Sequence, residues 1–373
     1  MNSTRILTIV GARPQFIKAA AVSRAVAAHN AAGRAPALCE SIIHTGQHYD
    51  ANMSQVFFDD LRIPAPAHHL GVGGGGHGEQ TGLMLQRLEP VLLAEKPDRV
   101  LLYGDTNSTL AGALVAAKLH IPIAHVEAGL RSFNRRMPEE INRIVADRLS
   151  DLLFCPTDTA LRNLADEGIR TGVHQVGDVM FDSVLFHAAR AAASAKLLGE
   201  LELSPKSYYL ATVHRAENTD DPARLQAIFD AFARLERPVL LPLHPRTRKS
   251  LAALPGAARG DAGAPRNVRL IDPQPYLETL ILQKNARVVL TDSGGVQKEA
   301  YFCGTPCVTL RDETEWVELV EIGANRLAGA DSATILAAVR QAESAAPIDT
   351  ASRPLYGDGR SAEKIVTLLG SSD

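Results

Sequence analysis

Short, unbroken apolar runs rich in Val, Ile and Leu recur along the chain, separated by longer stretches rich in Ala and Leu. Residues 5–10 have the pattern of a fully buried strand, and 15–29 that of the helix after it. Residues 99–103 and 121–126 are the next strands, with a helix over 110–119 between them. Continuous apolar strands alternating with helices predict a parallel sheet covered on both faces. An Ala-rich helical stretch near 182–199 and a polar segment over 201–206 then interrupt the pattern. It restarts with strands over 208–213, 239–242, 268–271 and 287–290 and a helix over 222–235. The prediction is an α/β protein built from two doubly wound blocks of similar size, with a break near 180–205. The blocks echo each other. One buried strand runs into Gly104-Asp105-Thr106 and another into Asp292-Ser293, and in both cases a helix follows and the next strand starts at a proline. The echo is either an internal repeat or the common look of αβ units.

Composition narrows the class. At 373 residues, 46% hydrophobic and 22% charged, the chain has ample material for a core and does not read as disordered. Its 39 basic and 42 acidic residues sum to −3, which offers no general attraction to nucleic acid or an anionic membrane. Four cysteines make no disulfide framework, and Cys303 and Cys307 lack the second pair a zinc site would need. The apolar run at 6–10 is too short for a signal segment, and no run reaches the roughly eighteen residues of a membrane span. The expectation is a soluble cytoplasmic protein.

Ligands of open parallel sheets bind beyond the carboxyl ends of the strands, so polar residues placed there are the candidates. Gly71-Val-Gly-Gly-Gly-Gly76 formally matches a dinucleotide fingerprint, but it follows Ala67-His-His-Leu instead of a buried strand, and a flexible loop is the better reading. NAD is therefore not expected. Neither a P-loop, an HExxH motif nor an Asp-x-Asp pair occurs, so no metal is expected either.

In Gly11-Ala-Arg13-Pro14-Gln15-Phe-Ile-Lys18, two cations flank a helix N-terminus, which makes an anion site unless they are a solvated pair. Thr291-Asp292-Ser293-Gly294-Gly295-Val-Gln-Lys-Glu299 suits a diphosphate: the glycines admit close backbone approach, and Ser293 and the helix start supply donors. Glu299 then stands where ribose hydroxyls could donate to it. A plain tight βα turn is the alternative. Asp105 and Thr106 could simply cap a helix. Glu127, in His125-Val-Glu127-Ala-Gly129-Leu-Arg131, is more telling because it ends an otherwise apolar strand. In Pro138-Glu139-Glu140-Ile-Asn-Arg143, Glu139 and Arg143 form an i,i+4 pair at a helix start. His214 and His244 follow successive strands of the second block, as proton carriers or phosphate partners. Three carboxylates, Asp105, Glu127 and Glu139, thus accompany a cationic, diphosphate-ready set. Carboxylates beside an anion are unfavourable unless they have a proton-transfer task.

These motifs, in this order, resemble the non-hydrolysing UDP-N-acetylglucosamine 2-epimerases over nearly the whole chain. The match runs through 11–18, 104–109, 125–131, 138–143, 214–218, Asp272-Pro-Gln274, 291–295 and Tyr356-Gly-Asp-Gly359. The resemblance implies the GT-B arrangement, two Rossmann-like domains around a cleft. They would be residues 1–180, rejoined by a C-terminal helix within 355–373, and a UDP-binding domain over 181–354. It also implies a cytoplasmic homodimer that makes precursors of surface polysaccharide. The proton at C2 of the sugar is not α to a carbonyl, so epimerisation needs either NAD or elimination of UDP across C1–C2. The family eliminates to a 2-acetamidoglucal and re-adds UDP, with no cofactor.

Carried over residue by residue, Asp105, Glu127 and Glu139 are the acid/base set, and Lys18, Arg143 and His214 are the functional cations. Arg13, Lys18, His214, Gln274, Ser293, Gly294, Gly295 and Glu299 bind UDP, while Gln47, Arg215 and His244 match segments that hold an activating second UDP-sugar in some members. Three features depart from the commoner form: Gln15 replaces a Glu, Trp316-Val317 replaces Arg-Pro, and the segment between Arg131 and Pro138 is shorter. Together with His44-Thr-Gly-Gln-His-Tyr-Asp50, they look more like a branch acting on UDP-2,3-diacetamido-2,3-dideoxyglucuronate. The C6 carboxylate of that substrate would suit Arg135 and Arg136, whose alternative is to be plain surface charges. UDP-N-acetylglucosamine is the main expectation and the uronate the alternative. A GT-B glycosyltransferase or a non-catalytic UDP-sugar-binding regulator would explain 293–295 but leave the three carboxylates without a task.

Overall fold

The computed structural model describes residues 3–47, 63–188, 192–254, 264–348, 350 and 354–371. Of the motif at 44–50, His48-Tyr49-Asp50 lie outside them. The chain divides into two compact units, Met1–Ser183 with Leu355–Asp373, and Val184–Pro354.

The first unit carries a seven-stranded parallel sheet in the order β3-β2-β1-β4-β5-β6-β7. Its strands are β1 (Ser3–Val10), β2 (Ala37–His44), β3 (His68–His69), β4 (Arg99–Tyr103), β5 (Ile123–Val126), β6 (Leu152–Cys155) and β7 (Val173–Gln175). The helices between them are α1 (Arg13–Ala31), α2 (His77–Glu95), α3 (Asn107–Lys118), α4 (Pro138–Leu149) and α5 (Asp158–Asp166), and α6 (Val179–Ala188) leads out of the unit. β1 is buried on both faces, as its unbroken apolar sequence requires. Leu7 and Ile9 join Met84, Leu88 and Leu92 of α2 and Ala111 and Val115 of α3 in one core.

The second unit has a six-stranded parallel sheet, β10-β9-β8-β11-β12-β13. Its strands are β8 (Tyr209–Thr212), β9 (Val239–Pro242), β10 (Val268–Ile271), β11 (Val289–Thr291), β12 (Cys307–Thr309) and β13 (Asn325–Leu327). The helices are α7 (Ala192–Glu200), α8 (Ala216–Thr219), α9 (Pro222–Ala233), α10 (Pro245–Ala252), α11 (Tyr276–Asn285), α12 (Gly294–Phe302), α13 (Val317–Glu321) and α14 (Ser332–Ser344). Alternation along the strands separates two cores. Tyr209, Ala211 and Leu290 pack with α9 and α14, whereas Leu210 and Val289 pack with Leu282 of α11 and Ala300 of α12.

The C-terminal helix α15 (Ser361–Gly370) returns to the first unit and packs on α1. Asp182 of α6 receives its first free amides, Ser361 N at 3.1 Å and Ala362 N at 2.7 Å. Gly177, at φ 94°, allows the crossing, because a Cβ there would lie 2.7 Å from the Tyr356 carbonyl oxygen. Among the described residues no helix is long and apolar enough to cross a membrane.

The echo between the blocks is topological. β4 and β11 each neighbour the first strand of their sheet, and the residues after them, Thr106 and Ser293, are the N-caps of α3 and α12. The expected helical stretch near 182–199 is helical over its described residues, in α6 and α7.

One buried group sets an acid limit. His44 is 4% exposed, stacked on Phe16 with ring centroids 5.0 Å apart, and near His69. Burial and the neighbouring His69 lower its pKa from 6.5 to about 4. The unfolded chain therefore binds the extra proton first as pH falls, so stability is full above about 6.5 and declines toward 4. His44→Phe should flatten that decline by up to about 3 kcal/mol, measured by urea melts at pH 7 and 4.5. Parallel declines in variant and wild type would contradict it.

Candidate active site

Register brings three polar strand ends to one edge of the first sheet. β1 runs beside β4, and β4 beside β5 with Tyr103 opposite Val126. Gly11, Gly104 with Asp105, and Glu127 therefore emerge on adjacent strands. Gly104 turns out of β4 at φ 62°, and Glu127 itself holds φ 74°. A residue with a Cβ pays on the order of 1–3 kcal/mol for that conformation. It persists because Glu127 is held from both ends. The amides of Glu127 and Ala128 donate to the Phe154 carbonyl at 3.1 and 3.2 Å, and the Glu127 carboxylate meets the Lys18 ammonium. Each of those two side chains is only 9% exposed, so each charge needs the other. A Cβ on Gly104 would lie 3.2 Å from Lys18 Nζ and 3.3 Å from Glu127 Oε2, so glycine leaves room for the pair.

The helix cap question resolves in favour of Thr106, whose side chain accepts from Thr109 N. Asp105 is left to accept a 2.8 Å hydrogen bond from Arg143 Nη2, while its carbonyl accepts from Asn142 Nδ2 at 2.9 Å. Arg143 also pairs with Glu140, its i,i+3 neighbour, at 3.1 Å. Glu140 is buried and accepts from the amides of Ser132 and Phe133, both at 2.9 Å, which anchors the shortened segment before α4. Glu139 is half-buried on the same turn, and Arg135 and Arg136 are exposed on that segment.

Arg13 begins α1 and is half-buried. Gln15 Oε1 accepts from Gly11 N and Ala12 N at 2.8 and 3.0 Å, and Nε2 donates to the Tyr103 carbonyl and Thr109 Oγ1 at 2.8 and 3.0 Å. All four amide bonds are made, and a carboxylate has no hydrogen for the last two. Gln47 accepts from Ser108 N at 3.0 Å and Oγ at 2.7 Å, steadying the start of α3.

In the second unit Thr212 pairs with Thr291, so His214 and Asp292 leave neighbouring strand ends. Asp292 is fully buried and accepts from His214 N (2.9 Å), Arg215 N (2.9 Å) and Asn218 Nδ2 (3.2 Å). This carboxylate holds the His214 turn, a role the sequence did not reveal. Desolvation lowers the His214 pKa, Asp292 opposes it, and Arg215 and Arg246 add to it. The ring lies 5.6 Å, centroid to centroid, from His244, whose Nδ1 accepts from Arg246 N at 3.2 Å.

Ser293 caps α12, and its amide donates to Thr291 Oγ1 at 2.9 Å. The two glycines after it differ. A Cβ on Gly294 would fall 2.4 Å from Glu315 Oε1, whereas a Cβ on Gly295 would meet no protein atom within 4 Å. Packing explains the first glycine but not the second. Glu299 accepts from Gln283 Nε2 at 2.7 Å, and Gln274 is half-buried beyond β10. Arg311, one of the largest fully buried side chains, bridges to Glu315 at 3.1 Å. Lys298 Nζ sits 4.0 Å from the centroid of the Trp316 ring.

A family model described as UDP-N-acetylglucosamine 2-epimerase matches residues 30–370. The chain belongs to that family. This epimerase is 53% identical to the UDP-2,3-diacetamido-2,3-dideoxy-D-glucuronate 2-epimerase of Pseudomonas aeruginosa, over 98% of this chain and 99% of the relative. It is 51% identical to a UDP-N-acetylglucosamine 2-epimerase homolog of Methanococcus maripaludis, over 98% and 99% of the two chains. The crystal structure of the Methanocaldococcus jannaschii UDP-GlcNAc 2-epimerase, in complex with UDP-GlcNAc and UDP, superposes with a TM-score of 0.88 at 41% identity, covering 98% of this chain and 99% of that one. The fold is thus of the GT-B class, and the expected isomerase, an epimerase, is borne out.

Within the first unit Lys18 and Glu127 come together, as do Asp105 and Arg143. Within the second, Asp292 joins His214, Arg215 and Asn218. Gln47 belongs to the first unit and Arg215 and His244 to the second.

Proposed function

We propose that this epimerase inverts C2 of UDP-2,3-diacetamido-2,3-dideoxyglucuronate by eliminating UDP across C1–C2 and re-adding it to the opposite face. The observation that carries the chemistry is the pair of charged couples, Lys18–Glu127 and Arg143–Asp105, on adjacent strand ends. Each couple sets a carboxylate against a cation, suited to taking or returning the C2 proton as the cation shifts toward the departing phosphate. Glu139 is the third member of the acid/base set. Arg13, Lys18, His214, Gln274, Ser293, Gly294, Gly295 and Glu299 bind UDP, and Gln47, Arg215 and His244 take a second UDP-sugar.

The substrate rests on the 53% identity to the uronate enzyme over nearly all of both chains. Gln15 supports it: a neutral amide replaces a carboxylate beside Gly11, and the uronate brings one more negative charge than UDP-N-acetylglucosamine. Arg135 and Arg136 receive the C6 carboxylate. UDP-N-acetylglucosamine is the second reading, favoured by the 41% identical structure that holds it. The family resemblance carries with it a cytoplasmic homodimer in polysaccharide precursor synthesis, working without metal or NAD.

Turnover of the two UDP-sugars side by side tests the substrate. A kcat/KM higher for the uronate, and lowered selectively in Arg135→Ala/Arg136→Ala, is expected; a preference for UDP-N-acetylglucosamine would overturn it. Arg13→Ala should weaken UDP by about 1.5–3 kcal/mol, as for a hydrogen bond to a charged group. Unchanged affinity in calorimetry would remove Arg13 from the phosphate site.

A further inference from the structure

A row of side-chain amides runs behind Asp105, and none of its members has a task in the chemistry above. Asn142 of α4, Asn107 at the start of α3 and Gln80 of α2 are all buried. Asn142 Nδ2 donates to the Asp105 carbonyl at 2.9 Å and to Asn107 Oδ1 at 3.3 Å. Asn107 Nδ2 in turn donates to Gln80 Oε1 at 2.7 Å and lies 3.2 Å from His77 Nδ1. Gln80 Nε2 reaches the Gly74 carbonyl at 3.4 Å. A carbonyl can only accept, so the Asp105 carbonyl fixes which end of its amide Asn142 presents, and each amide then fixes the next. A buried row satisfied in one direction only is stiff.

The far end of the row is the glycine-rich run at 71–76. Gly71, Gly74 and Gly75 have φ of 62°, 71° and 78°, the left-handed region that favours glycine. These glycines shape the turn that offers the Gly74 carbonyl to Gln80.

At the near end, Asp105 is held twice by one helix. Asn142 takes its carbonyl, and Arg143, the next residue, takes its carboxylate at 2.8 Å. Consecutive helix residues point about 100° apart, so the two can grip opposite ends of Asp105 without competing for one place. The hold is needed because β4 pairs with β5 only as far as Tyr103, and Gly104 then turns away at φ 62°. The Asp105 carbonyl therefore lies beyond the ladder of the sheet.

We infer that Asn142 is a positioning residue for the epimerisation, setting the backbone from which the Asp105 carboxylate is aimed, with Asn107 and Gln80 as its brace. This rests on the reading above that Asp105 handles the C2 proton.

The test is a double-mutant cycle on the full chain, with whichever of the two UDP-sugars it turns over faster. Asn142→Ala should lower kcat on the order of 10²-fold, the cost of misplacing a reacting group by about 1 Å, with KM and UDP affinity little changed. In an Asp105→Asn background the same substitution should cost almost nothing more, because the group it aims is already disabled. Slow variants are read in single turnover with enzyme in excess. Equal losses in the two backgrounds would make Asn142 a general structural residue and overturn the inference. So would wild-type kcat in Asn142→Ala beside a disabled Asp105→Asn, a result that leaves the catalytic assignment of Asp105 standing. Wild-type kcat in Asp105→Asn would overturn that assignment and the inference with it. If Asn142→Ala does not fold, Asn107→Ala, which removes the brace, goes through the same cycle with the same non-additivity expected and the same results against it.

Discussion

Glu127→Gln is expected to lower turnover by roughly 10²–10⁴-fold, the usual contribution of a positioned acid or base, while UDP binds as it does to the wild type. The substitution keeps the shape and removes the charge and the proton-accepting oxygen. Lys18 then loses its ionised partner in a nearly dry place, yet an incoming phosphate offers that ammonium another anion, so affinity for UDP does not depend on the carboxylate. The left-handed backbone at Glu127 makes the effect specific to this residue: strain of this kind persists where a side chain must be aimed. Rate and calorimetry on the same preparation check both halves. An active variant would remove Glu127 from the chemistry, and a variant that also loses UDP would make it a structural partner of Lys18.

Gly295→Ala is the second large effect, and it separates binding from stability. An added Cβ would meet no protein atom within 4 Å, and Gly295 lies in the first turn of α12, where alanine is the better helix former. Thermal stability should hold or rise slightly. UDP affinity should nevertheless fall on the order of 10–100-fold, the equivalent of one charge-assisted hydrogen bond lost when the phosphate is pushed off the helix start. Gly294→Ala is the contrast, since its Cβ would strike Glu315 and cost stability first. Unchanged UDP affinity in Gly295→Ala would take the diphosphate away from this turn.

Much of the fold could be read from sequence because parallel strands buried on both faces are unbroken apolar runs; β4, β9 and β10 have the expected limits, and α15 lies within the expected C-terminal range. The start of α3 lay three residues earlier than expected. Asn107, Ser108 and Thr109 are weak helix formers, and the Thr106 cap makes up for them. Strand-end position is what made Asp105, Glu127 and His214 candidates. Their partners were not legible, because Lys18 and Glu127 are 109 residues apart and Asp105 and Arg143 are 38 apart. α4 departs furthest from the habits of its residue types. Its sequence, PEEINRIVADRL, reads as a charged surface helix, yet Glu140, Asn142, Arg143 and Asp147 are buried, against the habit of those residue types. Only the register of β4 and β5 shows why they face inward.

The measurement that tests the central claim most directly is proton NMR of the purified chain with UDP-2,3-diacetamido-2,3-dideoxyglucuronate in deuterated water, without added metal or NAD. Elimination and re-addition through a carboxyl acid/base predict deuterium at C2 in step with appearance of the C2 epimer. Epimer that keeps its original C2 proton, or no exchange with this substrate or with UDP-N-acetylglucosamine, would contradict it.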